Sequence, residues 1–155
     1  MKPLHARSYQ ILTIVLSLIL LALVGKFFLG SSTTQAQDGR EMITLTGDEA
    51  AHISGEMRHF LTAIQQISQG VAENNMEMAT KAATAVSTGK TEHTPITLMA
   101  KLPPEFRKLN FSLRNQFAEM ATTAQAGERE ELLKQLSETL QRCNMCHERF
   151  TLNNQ

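Results

Sequence analysis

The residues of this 155-residue chain with the most specific chemistry lie in the run CNMCH, Cys143 to His147, which holds both of its cysteines. Two thiols and an imidazole at this spacing can serve several ends. A disulfide between Cys143 and Cys146 closes a very small loop and adds little stability. A thioredoxin-like dithiol sits at the start of a helix that follows a strand, whereas this pair falls late in a helical pattern. A structural zinc ion needs four ligands. The motif supplies three, so a fourth would come from His52, His59 or His93, and no spacing points to one of them. The Cys-x-x-Cys-His spacing fits covalent haem in every part: two thiols make thioethers with the vinyl groups while the imidazole takes the iron from one face.

The elements that must position this motif follow from hydrophobic period and punctuation. Gly47, Gly70, Gly89 and Gly127 divide the chain beyond Gln37, and no alternating β-branched run competes with the helical signals. Thr46 to Glu49, TGDE, has the form of a capping box and opens helix A, which is expected to run to about Gln69. Its apolar stripe is Ala50, Ile53, Met57, Phe60, Leu61, Ile64, Ile67 and Val71. Helix B, about Val71 to Ser87, is alanine-rich and allows close approach. A long connection, KTEHTPITLMAKLPPE, leads to helix C at about Glu105 to Ala126, with Pro103 and Pro104 suited to its first turn. Helix D follows Gly127, and its acidic start suits the helix dipole. Its stripe is Leu132, Leu133, Leu136, Leu140, Cys143, His147 and Phe150, so the motif faces the core. Short A–B and C–D connections predict an all-α, antiparallel up-down-up-down four-helix bundle over residues 46–152, preceded by a linker at 31–45.

The first 30 residues differ in character. A short basic region precedes ILTIVLSLILLALV, an apolar run of 14 residues without a charge. This is the pattern of an export signal, with a cut after Ala36. Extended through GKFFLG, Ile11 to Gly30 is also long enough to span a bilayer as an anchor, with Lys26 snorkelling to the interface. Either way the remainder is expected to be exported to the periplasm, tethered to the inner membrane if the segment stays. Beyond residue 30 there are 12 Lys/Arg against 15 Asp/Glu, a net of −3, and no basic cluster. That disfavours nucleic acid as a partner.

A Cys-x-x-Cys-His in the last helix of an exported four-helix bundle resembles the cytochrome c-prime family and its low-spin relatives. CNMCHERF also has the acidic residue after the histidine and the aromatic three positions beyond it that such proteins often carry. The resemblance implies one covalent haem c on Cys143 and Cys146, with His147 as axial ligand. It also implies that helix A faces the other side of the haem, with a methionine ligand in low-spin members or an uncoordinated apolar residue in high-spin ones. Met57 lies on helix A's stripe, and MRHFLTAIQQI is similar to the first helix of the soluble b-type four-helix cytochrome. Met57 is therefore the candidate distal ligand, and Leu61, one turn on, is the alternative residue over an open iron. His52 and His59 lie off the stripe and are expected to face solvent. The family often has an Arg one turn before the distal residue. Ile53 stands there instead, which leaves Arg58 or Arg40 as candidates beside the propionates; Arg142 and Arg149 flank the motif.

The resulting expectation is a one-electron carrier with redox partners in the periplasm, a possible homodimer, and no enzymatic acid–base or nucleophile set. Two alternatives stay open. One is a five-coordinate haem protein binding nitric oxide or carbon monoxide. The other is a haem-free exported helical binding protein.

Overall fold

The computed structural model describes residues 4–29, 33–89 and 94–154. His93, Gly30 and the side chain of Lys26 lie outside the described residues. The order of elements is α1 (Leu4–Leu29), β1 (Thr33–Gln35), β2 (Glu41–Leu45), α2 (Gly47–Ala72), α3 (Met76–Ser87), α4 (Ile96–Lys101), α5 (Pro104–Ala126), α6 (Arg129–Arg149) and β3 (Phe150–Asn154). The protein is thus mostly helical, with a small three-stranded sheet in the order β1-β2-β3.

The helix α1 has 26 residues, about 39 Å at 1.5 Å per residue. Within it Ser8–Gly25 has a mean hydropathy of 2.2 and none of that stretch is buried. Its leucines, isoleucines and valines are exposed. A helix this apolar, with none of Ser8–Gly25 buried, has the length and composition to cross a membrane.

Thr46 begins α2 as the capping box requires. Its hydroxyl accepts from the Glu49 amide at 3.4 Å, and the Glu49 carboxylate accepts from the Thr46 amide at 2.9 Å. The same carboxylate holds Lys101 Nζ at 2.7 Å, tying the end of α4 to the start of α2. Contrary to the sequence reading, α2 does not stop at Gly70. The chain turns only at Glu73–Asn75, where Asn74 takes a φ of +56° and the Asn75 side chain accepts from the Met78 amide. Gly70 serves the packing of α3. A Cβ there would lie 2.8 Å from Asn75 O and 2.9 Å from Ala79 N.

Pro103 and Pro104 open α5, and Gly127 closes it in the left-handed conformation at φ +79°, as its position suggested. The connection before α5 holds a short helix of its own, α4, whose Leu98 is buried. The stretch 31–45, read from sequence as a linker, carries β1 and β2. The first pairs antiparallel with β2, and β2 pairs parallel with β3, Glu41 opposite Phe150 through Leu45 opposite Asn154. Ile43 and Leu45 point into the core, the alternation of a half-buried strand.

Packing gives two apolar clusters. One joins α2, α3, α5 and the first half of α6 around Ile67, Phe117, Met120 and Leu132, with Phe60 stacked on Phe117 at 5.8 Å between centroids. The other joins the sheet, the first turns of α2, α4 and the start of α5 around Ile43, Ile53, Leu98 and Phe106, with Phe106 edge-on to Phe150 at 5.6 Å. Met57 touches both clusters; Cys143 packs on the first and Cys146 on the second.

Candidate functional site

The motif takes its place from what α6 packs against. Leu132, Leu136 and Thr139 are buried along its first half. Beyond Thr139, Leu140 and His147 are exposed and Cys143 and Cys146 are half-buried. A cavity of about 270 Å³ lies beside them. Its walls are Met57, Arg58, Phe60, Leu61 and Ile64 from α2, Phe106, Asn110 and Leu113 from α5, and Leu140, Cys143, Cys146 and His147 from α6. A second cavity of about 150 Å³ adjoins it. Met57, Phe106, Cys146 and His147 line both, while Arg40, Ile53, Phe150, Thr151 and Leu152 complete the second. Small-molecule pockets run from about 300 to 1,000 Å³, a range the two spaces reach together.

The structure therefore brings Cys143, Cys146, His147 and Met57 to one place, although Met57 precedes the others by more than eighty positions. Of the four arginines named from sequence, Arg58 lines the larger cavity and Arg40 the smaller. Leu61 lies at the rim of the larger cavity and is 65% exposed. His59 is exposed and lines neither cavity. His52 is half-buried, a correction to the expectation that it faces solvent, and also lines neither. Arg142 reaches Ser112 Oγ at 3.4 Å.

The two thiols are free. Burial pushes the Cys143 thiol up, and burial together with Cys143 nearby pushes Cys146 up to about 11. Metal-ligating and redox-active cysteines work as thiolates and sit where their pKa is lowered. These thiols stay protonated near neutral pH. Among the described residues no three His, Cys, Asp or Glu side chains gather to hold an ion.

No family model matches this chain, and neither a curated protein nor a solved structure matches it either. The chemistry of the site is therefore argued from its own side chains. Two thiols, an imidazole and a thioether border a largely apolar space, whose polar lining is completed by Arg58 and Asn110.

Ion pairs fasten this end of α6. Arg40 Nη1 donates to His147 O at 3.2 Å while its Nε bonds Asp38 at 2.7 Å. That guanidinium holds the Asp38 carboxyl below its ordinary range. Arg149 donates to Glu41 at 2.9 Å and pairs with Glu105. One feature of the site escaped the sequence reading. Glu56, 5% exposed, accepts from Arg114 Nη2 at 2.6 Å. The same guanidinium donates to Val86 O and lies 5.6 Å from the centroid of Phe60, a cavity wall. The signal was there in the spacing: Glu56 falls between Ile53 and Phe60 on the buried stripe of α2.

Proposed function

We propose that this protein is an exported c-type cytochrome carrying one covalent haem c and working as a one-electron carrier, not as an enzyme. The observation that carries the reading is the shared cavity: Met57 lines the same apolar space as Cys143, Cys146 and His147. In this proposal Cys143 and Cys146 anchor the group through thioether bonds and His147 supplies the proximal nitrogen. Met57, on the facing helix, supplies the distal sulfur. The group when bound provides an iron that changes charge by one electron with little rearrangement, at a potential raised by thioether ligation. Phe60, Ile64, Phe106 and Leu113 keep water from that iron. Arg58 and Arg40, one at each cavity, place a cation where carboxylate groups of the ligand can reach it.

The architecture we assign is the antiparallel four-helix bundle of α2, α3, α5 and α6. It is supported by Arg129, at the start of α6, which donates to Val71 O at the end of α2 at 2.7 Å. The apolar α1 supports export to the periplasm, where covalent haem attachment takes place.

A second reading draws on the exposed Leu61 and the half-buried Met57. If Met57 crowds the iron without binding it, the open face takes nitric oxide or carbon monoxide. Two measurements test these readings. A covalent-haem stain of the chain, co-expressed with haem-maturation machinery, should be positive; a blank stain refutes both. The visible spectrum of the ferric protein should then be low-spin, whereas a high-spin form that takes up carbon monoxide readily on reduction supports gas binding.

A further inference from the structure

The sheet changes what the first 36 residues can be. A cut after Ala36, the site that the small residues Thr34 and Ala36 suggest, falls in a closed hairpin. Ala36 N donates to Arg40 O at 2.8 Å and Gly39 N to Ala36 O at 3.1 Å. Such a cut strips β1 from β2, removing the pairs Thr33–Ile43, Thr34–Met42 and Gln35–Glu41. It also opens the turn that presents Arg40 to the carbonyl of His147. A folded domain that uses β1 uses part of the segment a signal cut discards.

Keeping that segment sets a distance. Leu29 ends α1 and Thr33 begins β1, so four Cα steps, at most about 15 Å, join the apolar helix to the sheet. Thr33 is paired with Ile43, and Ile43 with Leu152. Two strand spacings add about 10 Å. Leu152 lines the smaller cavity together with Arg40 and His147. That opening therefore lies within about 25 Å of the end of α1, however the domain turns on its leash. The 15-residue tether expected from sequence would have allowed far more.

We propose that α1 is retained as a membrane anchor and that the rim formed by Arg40, His147 and Leu152 exchanges electrons with an integral protein of the same membrane. The second half of this proposal rests on the electron-carrier reading; the first does not. One further observation bears on the partner. A diffusing carrier is steered by unbalanced charge on its docking face, but here the rim cation Arg40 is paired with Asp38. A short leash supplies encounter by effective concentration instead. One electron passes between the bound iron and a one-electron centre of the partner, with no bond made or broken.

The full chain, exported from a bacterial host with haem-maturation machinery, provides the test. Intact mass should include residues 1–36, and the protein should stay with membranes after alkaline carbonate washing. The double variant Cys143→Ala/Cys146→Ala should behave the same, since retention does not need haem. A mature N-terminus anywhere beyond Leu29 overturns the proposal whatever the haem content. Inserting about 30 Gly/Ser residues between Leu29 and Thr33 lengthens the leash to roughly 30 Å root-mean-square. Haem reduction by native membranes should then slow at least tenfold, while reduction by ascorbate stays unchanged. Equal membrane rates for the two leash lengths overturn the partner, and a chain without haem overturns it together with the electron-carrier reading.

Discussion

Met57 sits on α2 where the two apolar clusters meet, three residues before Phe60 and on the cavity that Cys146 also lines. Its unbranched thioether fits an irregular space, and core packing alone would account for a methionine there. What distinguishes ligand from core is the consequence of removing it. Met57→Ala should convert a low-spin ferric spectrum to high-spin with the haem still covalently attached; an unchanged spectrum removes Met57 from the iron. Glu56 and Arg114 form the other arrangement that depends on single residues. A buried charge left without its partner costs about 3–5 kcal/mol, so Arg114→Ala, which strands the buried Glu56 carboxylate, should lower unfolding free energy in urea by that order. Replacing both residues by apolar ones of similar size should cost much less. Because Arg114 also lies against Phe60, the single variant should disturb the spectrum of the bound group as well. A loss in the double variant equal to the sum of the two single-variant losses would mean that the pair is not coupled.

Helix ends were legible in the sequence wherever a side chain or a ring fixes them. TGDE opens α2, Pro103 and Pro104 open α5, and Gly127 ends it, since each acts on backbone atoms within a few residues. Gly70 misled for the opposite reason: its role depends on Asn75 and Ala79 of the next helix, not on its own backbone angles. Gly70→Ala should force α3 away from α2 and cost about 1–3 kcal/mol, measured as a shift of the urea midpoint. A neutral result would mean the two helices separate freely. The strands were missed because β2 finds its partner β3 more than one hundred positions later, beyond the reach of any local pattern. The helix α4, only six residues long, is held by Leu98 and by Lys101 on Glu49. Lys101 is the main cause that holds the Glu49 carboxyl below its ordinary value of 4.5, the Thr46 amide adding to it. A carboxyl depressed on folding contributes stability that is complete above its unfolded value and is lost as pH falls through the folded one. Unfolding free energy should therefore drop as pH is lowered below about 4.5, and Glu49→Gln should flatten that part of the profile. An identical acid limb in the variant would show that other carboxylates carry it.

At the scale of the molecule, an apolar helix, a three-residue join, a small sheet and a helical body place the donor-lined cavity a short distance along the chain's pairing from the end of α1. The motif, the helix that carries it and Met57 could all be picked out from sequence. The closeness of the cavity to the end of α1 could not, because it depends on the register Thr33–Ile43–Leu152 across three strands. The central claim is that Cys143 and Cys146 bind haem covalently. Its most direct measurement is the mass of the proteolytic peptide spanning residues 143–147 from the matured protein, with absorbance followed during separation. A single peptide, heavier by one haem, that keeps its visible absorbance under denaturing conditions is the expected result. The same peptide at its unmodified mass, from cells that mature other c-type cytochromes, would contradict it.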